Sequence, residues 1–291
     1  NPVSTPMMVK VPTATNCPKT EEAERKELEQ LPHESYPAFR TQYREILGYC
    51  SHLCEYGRPD ITYAVHYLAR FQAYPTKEHY TALKRVVRYL KGTKKLATVF
   101  GNKHHKYYAP LIAHVDSDFA GCENSSKSTT GNVFMCYGAA IKVQSSKQKC
   151  VTKSSTHAEI VAASTSVCTA LYFKRLLDDL GIHIDQVPIY EDNEACITIA
   201  KHGSIHSRSR HIRVADAWIY QEVHDHKTID IRQISSKHNI ADMFTKSLPK
   251  KAFIQLRNML MGYADETPSM TATTQSWGNT LRNGSKYVLG R

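Results

Sequence analysis

Residues 109–145, APLIAHVDSDFAGCENSSKSTTGNVFMCYGAAIKVQS, decide the fold. APLIAHVD (109–116), GNVFMCYG (131–138) and AAIKVQS (139–145) read as strands, short apolar runs bounded by turn formers. GCENSSKSTTG between the first two has the composition of a polar turn region. QKCVTKS (148–154) extends the third strand or pairs with it. Three strands in close succession predict an antiparallel meander.

Downstream, helices and strands alternate. A long helix is expected from Thr156 to about Leu180, closed by Gly181. VPIYED (187–192) reads as a buried strand and NEACITIAKHG as a short helix. SRSRHIRVADAWIYQEVHDH reads as a third helix with a basic start, and TIDIRQIS (228–235) as an alternating strand. NIADMFTKS and KKAFIQLRNMLMG are terminal helices separated by Pro249. Such strand–helix–strand units predict parallel additions to the same sheet through right-handed crossovers. The expected class is α/β, a mixed five-stranded sheet with helices on both faces.

A smaller helical region precedes it. TQYREILGYCSHLCEYG (41–57) is helical by spacing and ends at Gly57, Arg58 and Pro59. Asp60 is then a cap for a helix with Ile61, Ala64, Val65 and Leu68 on one face. TKEHYTALKRVVRYLKG (76–92) has the apolar stripe Tyr80, Leu83, Val87 and Leu90. Its opposite side carries Lys77, Lys84, Arg85, Arg88 and Lys91. ATVFG (97–101) reads as a short strand. Residues 1–40 contain Pro2, Pro6, Pro12 and Pro18 and read as a linker or arm, with a short charged helix over 20–31. The division expected is 1–40 linker, 41–106 helical region, 107–262 α/β domain and 263–291 flexible tail.

The 291 residues hold 38 Lys+Arg against 27 Asp+Glu, a formal net charge of +11. That excess favours a polyanionic partner over a small neutral ligand. No apolar run approaches the ~18 residues of a membrane span, and no signal-peptide pattern opens the chain, so no membrane partner is expected. The first residue is Asn1, which suggests a fragment or processed product. The eight cysteines form no CxxC pair and no zinc-finger spacing, so a reduced, intracellular protein is expected.

Four carboxylates stand out by position. Asp116 ends the first strand of the α/β part, Glu159 sits in the first turn of the long helix, Asp192 ends the next strand, and Asp242 opens a C-terminal helix. If the first and fourth strands are parallel neighbours, Asp116 and Asp192 emerge side by side at the strand C-termini, where open α/β sheets place their sites. Each residue also has a purely structural alternative. Thr156-x-x-Glu159 is a capping box, Asp192 can cap the following helix, Asp242 can pair with Lys246, and Asp116 can be a turn residue beside Asp118. As a set in this order they favour chemistry. Clustered carboxylates cannot all stay ionised cheaply, and a pair of hard divalent cations resolves the repulsion. Such a pair suits in-line displacement at a phosphodiester.

These residues carry a resemblance. NPVSTPM, YREILGYC, RPDITYAV, LARF and HYTALKRVVRYLKGT resemble the segment after the polymerase core in copia-type LTR retrotransposon Pol polyproteins. DSDFAG, KSTTGNVF, SSTHAEI, YEDNEACI, HSRSRHI and NIADMFTKSLP resemble the ribonuclease H domain of that family. The likeness runs from residue 1 to about 262, with the motifs in the family's order. It implies a ribonuclease H-like fold preceded by a remnant of the reverse transcriptase thumb or connection. It also implies a metal site of Asp116, Glu159, Asp192 and Asp242, with Asp116 preferred to Asp118 as the first Asp of its motif. The implied cofactor is two Mg²⁺ ions, with Mn²⁺ as substitute. His157 stands where the family often has Glu, and Arg213 where an acid is usual. His238, four residues before Asp242, is read as a solvated helix-start residue rather than a proton shuttle. The polymerase metal hairpin is absent, and Asp178-Asp179 closes a helix instead.

Two basic patches fit a nucleic acid: Arg208, Arg210, His211 and Arg213 at a helix start, and Lys84, Arg85, Arg88 and Lys91 along another helix. The function implied is hydrolysis of the RNA strand of RNA–DNA hybrids. The alternative is a catalytically decayed nucleic-acid-binding module of the same fold from a truncated element copy. An integrase core fits less well, because its three acids end in a helix Glu. The partners implied are the hybrid and the rest of the Pol polyprotein, polymerase core and integrase. The location implied is intracellular: cytoplasm, virus-like particle or nucleus.

Overall fold

The computed structural model describes residues 2–8, 36–122, 125–203 and 210–263. Strand β1 (Ile112–Asp118) is the centre of the sheet. It pairs antiparallel with β2 (Thr129–Cys136), in a register that sets Asp116 opposite Gly131. β2 pairs antiparallel with β3 (Ala139–Lys147), so the expected meander forms. The two-residue loop between them has Tyr137 at φ 47° and Gly138 at φ 87°. A type I′ hairpin needs both central residues left-handed, which glycine adopts without steric cost. On the other side of β1 lie β4 (Val187–Glu191) and then β5 (Ile229–Gln233), both parallel. The sheet order is β3-β2-β1-β4-β5, a mixed five-stranded sheet.

Eight helices flank the sheet among the described residues. They are α1 (Tyr36–Tyr56), α2 (Thr62–Ala69), α3 (Lys77–Gly92), α4 (Ser155–Asp179), α5 (Glu194–His202), α6 (Arg210–Tyr220), α7 (Asp242–Thr245) and α8 (Lys250–Leu260). Alternation along β1 separates two cores. Leu111, Ala113 and Val115 face α4, packing with Ile160, Ala163, Val167 and Ala170. The small side chains of Ala158, Ala162, Ala163 and Ser166, all buried, let this helix lie close to the sheet. By length and composition α4 alone among the described residues could cross a membrane, yet this face is covered by protein. Ile112 faces the other side, in one core with Val133, Met135, Phe244 and Leu256 and with Tyr43, Leu68, Leu83 and Tyr89 of the preceding helices. The helical region therefore covers one face of the sheet and shares its core, and β1 is buried on both faces.

Several local expectations change. Helix α1 begins at Tyr36 rather than near 41. Asp60 does not cap α2. It lies in a 3-10 turn, Pro59–Ile61, and accepts a bidentate pair from Arg58 (2.9 Å each) and a hydrogen bond from the Tyr89 hydroxyl (2.5 Å). In α3 the buried positions are His79, Ala82, Leu83, Val86 and Tyr89, and Val87 faces outward. The stripe is rotated by about one residue because the neighbouring helices, not hydropathy alone, choose the face. Residues 97–101 form no strand: Val99 N–H donates to Met261 O and Gly101 N–H to Tyr137 O. Of residues 148–154 only Gln148 continues the pairing, through Ser128 O. The seven described cysteines are free thiols. The expected helix over 20–31 and the tail beyond 263 lie outside the described residues.

Candidate metal centre

The site forms where β1 and β4 end. Asp116 lies on the β1 face that meets α7, and Gly131 across the ladder has no side chain. A Cβ at Gly131 would stand 2.7 Å from Ala241 O and from Thr245 Cγ2. Hydrogen there lets the α7 turn settle onto β2. Asn239, fully buried, fixes the same turn by donating from Nδ2 to Val115 O (2.8 Å) and accepting from Ala241 N–H (3.2 Å). Thr245 Oγ1 donates to Asp116 Oδ2 (2.5 Å), and Lys246 Nζ donates to Asp242 Oδ1 (3.1 Å) while lying 4.0 Å from Asp116. The Asp242–Lys246 pair expected from spacing is present, inside the site.

The structural alternatives for the other two acids do not hold. Ser154 caps α4, accepting from His157 N–H (3.1 Å), so Glu159 is not part of a Thr156 capping box. Asn193, not Asp192, caps α5, accepting from Cys196 N–H. Neither carboxylate is thereby committed to holding a helix end. Oxygens of Asp116, Asp192 and Asp242 lie within 4.8 Å of one another. Oxygens of Glu159, Glu191 and Asp192 do the same. The four acids singled out from the sequence thus meet in one cluster through Asp192. Asp118 belongs to neither triad; its side chain lies over Gly121.

Glu191 is the residue that sequence reasoning missed. It is 1% exposed, and its Oε1 accepts the N–H groups of Asp192 (3.1 Å) and Asn193 (2.9 Å). The available signal is an acid ending a buried strand, directly before Asp192. Strict strand alternation would aim these two neighbours to opposite faces. Arg70 donates to Thr129 Oγ1 (3.3 Å), and its charge acts on Asp118.

Burial and mutual repulsion govern the electrostatics. Burial, then the charges of Glu191 and Asp116, push the Glu159 carboxyl up to about 10. Burial, then Asp116, pushes Asp242 up to about 7, against the pull of Lys246. Glu191 is raised too, chiefly by burial and by Asp192 and Asp116, although the Asn193 N–H opposes this. Burial alone would lower Lys246, but Asp116 and Asp242 outweigh it and the ammonium is held more firmly. Glu159 Oε2 and Glu191 Oε2 are buried without a hydrogen-bond partner. An all-carboxylate donor set with open lone pairs fits a hard divalent cation such as Mg²⁺ or Mn²⁺.

The basic residues fall differently. Lys84, Arg88 and Lys91 are exposed on α3, with Lys84 Nζ over the Tyr80 ring at 4.3 Å. Arg85 is half-buried and donates to Thr5 Oγ1 (2.9 Å). Arg208 and the side chains of Arg210, His211 and Arg213 lie outside the described residues. His238 is half-buried at the end of a 3-10 turn, four residues before Asp242 opens α7.

No protein-family model matches the chain. It is 35% identical over 254 residues, 87% of its length, to the retrovirus-related Pol polyprotein from transposon TNT 1-94 of Nicotiana tabacum. It is 35% identical over 214 residues, 73% of its length, to that from transposon RE1 of Arabidopsis thaliana. It spans 18% and 14% of those two relatives. Among solved structures, LC11-RNase H1 in complex with an RNA/DNA hybrid is 15% identical, with 49% of this chain and 98% of that one covered and a TM-score of 0.37. The aligned length takes in both the helical layer and the α/β sheet with its carboxylates, and the chain belongs to the retrovirus-related Pol polyproteins of transposons.

Proposed function

We propose that the chain is the ribonuclease H portion of a copia-type retrotransposon Pol polyprotein and hydrolyses the RNA strand of RNA–DNA hybrids. The observation that carries this reading is the meeting of Asp116, Glu159, Asp192 and Asp242, from three separate elements and a strand end, at the C-terminal edge of β1 and β4. Asp116 and Asp242 with Asp192, and Glu159 with Asp192, are the residues that would hold divalent cations. Bound cations would supply neutralisation of the phosphate and activation of water at neutral pH.

The chain's own residues set up that site. Thr245 fixes the orientation of the Asp116 carboxylate, and Asn239 fixes the turn that presents Asp242. Lys246 offsets part of the negative charge that would otherwise repel a phosphodiester. The exposed cations Lys84, Arg88 and Lys91, with the basic start of α6, would track the backbone of the hybrid, whose A-like shape and 2′-hydroxyls are read rather than its sequence.

The test is cleavage of a labelled hybrid with Mg²⁺ by the whole chain and by Asp192→Asn. The expected result is cut RNA with 5′-phosphate and 3′-hydroxyl ends, lost in the variant while hybrid binding persists. Hybrid binding without any cleavage by the unaltered chain would instead favour the decayed binding module.

A further inference from the structure

We infer that Glu191 is a fifth ligand of this centre, completing with Glu159 and Asp192 a second cation position beside that of Asp116, Asp192 and Asp242. The inference rests on the metal-dependent reading above and adds to it a residue and a division of labour.

The Glu191 side chain is held in place, because its Oε1 accepts two consecutive backbone N–H groups at the turn from β4 into α5. That leaves Glu191 Oε2 buried and unpartnered, and the buried Glu159 carboxyl, with only the Ser117 hydroxyl near it, lies close by. The two residues are 1% and 5% exposed. Their oxygens and one from Asp192 fall within 4.8 Å of one another, close enough to share one ion. A buried acceptor left without a donor is costly, and a second carboxylate close by makes it worse. A cation between them satisfies both.

Charge points the same way. Once deprotonated, as ligation requires, Asp116, Glu159, Glu191, Asp192 and Asp242 offset by Lys246 carry a net charge of four minus, which two divalent cations neutralise. Asp192 belongs to both triads and is the residue that would serve both positions.

The experiment counts ions rather than turnover. Mn²⁺ is titrated into the full chain and free Mn²⁺ is followed by electron paramagnetic resonance, for the unaltered protein, Glu191→Gln, Asp242→Asn and Asp192→Asn. Glu191→Gln keeps the Oε1 acceptor and nearly the same volume. Two ions should bind the unaltered chain. Glu191→Gln should weaken one step at least about tenfold, since even outer-shell partners cost 10–100-fold, and leave the other step unchanged. Asp242→Asn should weaken the complementary step, and Asp192→Asn both. Two unaltered steps in Glu191→Gln would overturn the inference, as would a single ion in the unaltered chain. If Glu191→Gln does not fold, loss of both steps in Asp242→Asn overturns it instead. No Mn²⁺ bound to the unaltered chain would sink the metal-dependent reading itself, a distinct result.

Discussion

Gly131 stands directly across the β1–β2 ladder from Asp116, and the turn that carries Asp242 fills the space its side chain would occupy. The absence of one methyl group thus sets the distance between two acids that are far apart in sequence. Gly131→Ala brings a Cβ to 2.7 Å from Ala241 O and 3.1 Å from Phe244 Cβ, both hard to move. Overpacking of this kind costs about 1–3 kcal/mol. The expected outcome is that loss of stability, by urea denaturation, together with weaker Mn²⁺ binding, because relief requires α7 to lift away with Asp242. Unchanged Mn²⁺ affinity at reduced stability would show that α7 does not position the acid.

Above about pH 7 the metal-free protein should lose stability as pH rises. Asp242 goes from an ordinary value of 3.8 to about 7 on folding, and Glu159 from 4.5 to about 10. Between those values the folded state keeps protons that the unfolded state has released, so the unfolding free energy falls with pH. Asp242 exerts its effect from about pH 4 to 7, and Glu159 carries the decline further. Burial lowers His79 to about 4 and His114 to about 3, which makes the unfolded state the better proton binder below about pH 6.5 and opposes the trend there. Urea midpoints measured in chelator should therefore decline from about pH 7 to about pH 8.5, where the histidines no longer titrate. Saturating Mg²⁺ should remove most of that slope, since a cation takes over the role of the retained protons. A flat profile in chelator would mean that these carboxylates are solvated.

Arg58 and Asp60 are joined by two 2.9 Å hydrogen bonds, with side chains 10% and 0% exposed. The guanidinium also donates to Thr93, and Arg257 reaches the Tyr89 hydroxyl whose proton Asp60 accepts. Asp60→Ala leaves a buried guanidinium without its counter-charge, a change worth about 3–5 kcal/mol. Denaturant unfolding should show a loss in that range. A loss below about 1 kcal/mol would mean that Arg58 reaches water once released.

The sheet was readable because its signals are local. Apolar runs mark β1 to β5 within a few residues, and chain order predicts the parallel pairing of β1 with β4. The positions of Asp116, Glu159, Asp192 and Asp242 followed from where the strands and helices end. Choices made by tertiary packing were not readable. Ser154, Ser155 and Thr156 are three consecutive hydroxyl residues, any of which can cap a helix, and only docking of α4 against β1 selects Ser154. The turn after β4 folds Glu191 back onto the N–H groups of Asp192 and Asn193, so simple alternation does not apply at this strand end. The α3 stripe shifted for a related reason: Tyr89 is drawn inward by Asp60, a residue 29 positions earlier.

The basic face of α3 separates into two kinds of cation. Lys84, Arg88 and Lys91 are exposed, whereas the Arg85 guanidinium is tied to Thr5 and its Nε is buried. If the face neutralises phosphates of a hybrid, each cation removed should reduce the log–log salt slope of binding by about 0.9, the value for B-form duplexes. Lys84→Gln with Arg88→Gln should therefore lower the slope by about 1.8 and weaken binding of all sequences alike. Arg85→Gln should leave the slope unchanged and act instead on stability, by releasing the segment around Thr5 from α3. Fluorescence anisotropy over a salt series, beside thermal unfolding, separates these results. A slope unchanged in the double variant would take α3 out of the nucleic-acid interface and leave the charge on that helix as a solvated surface.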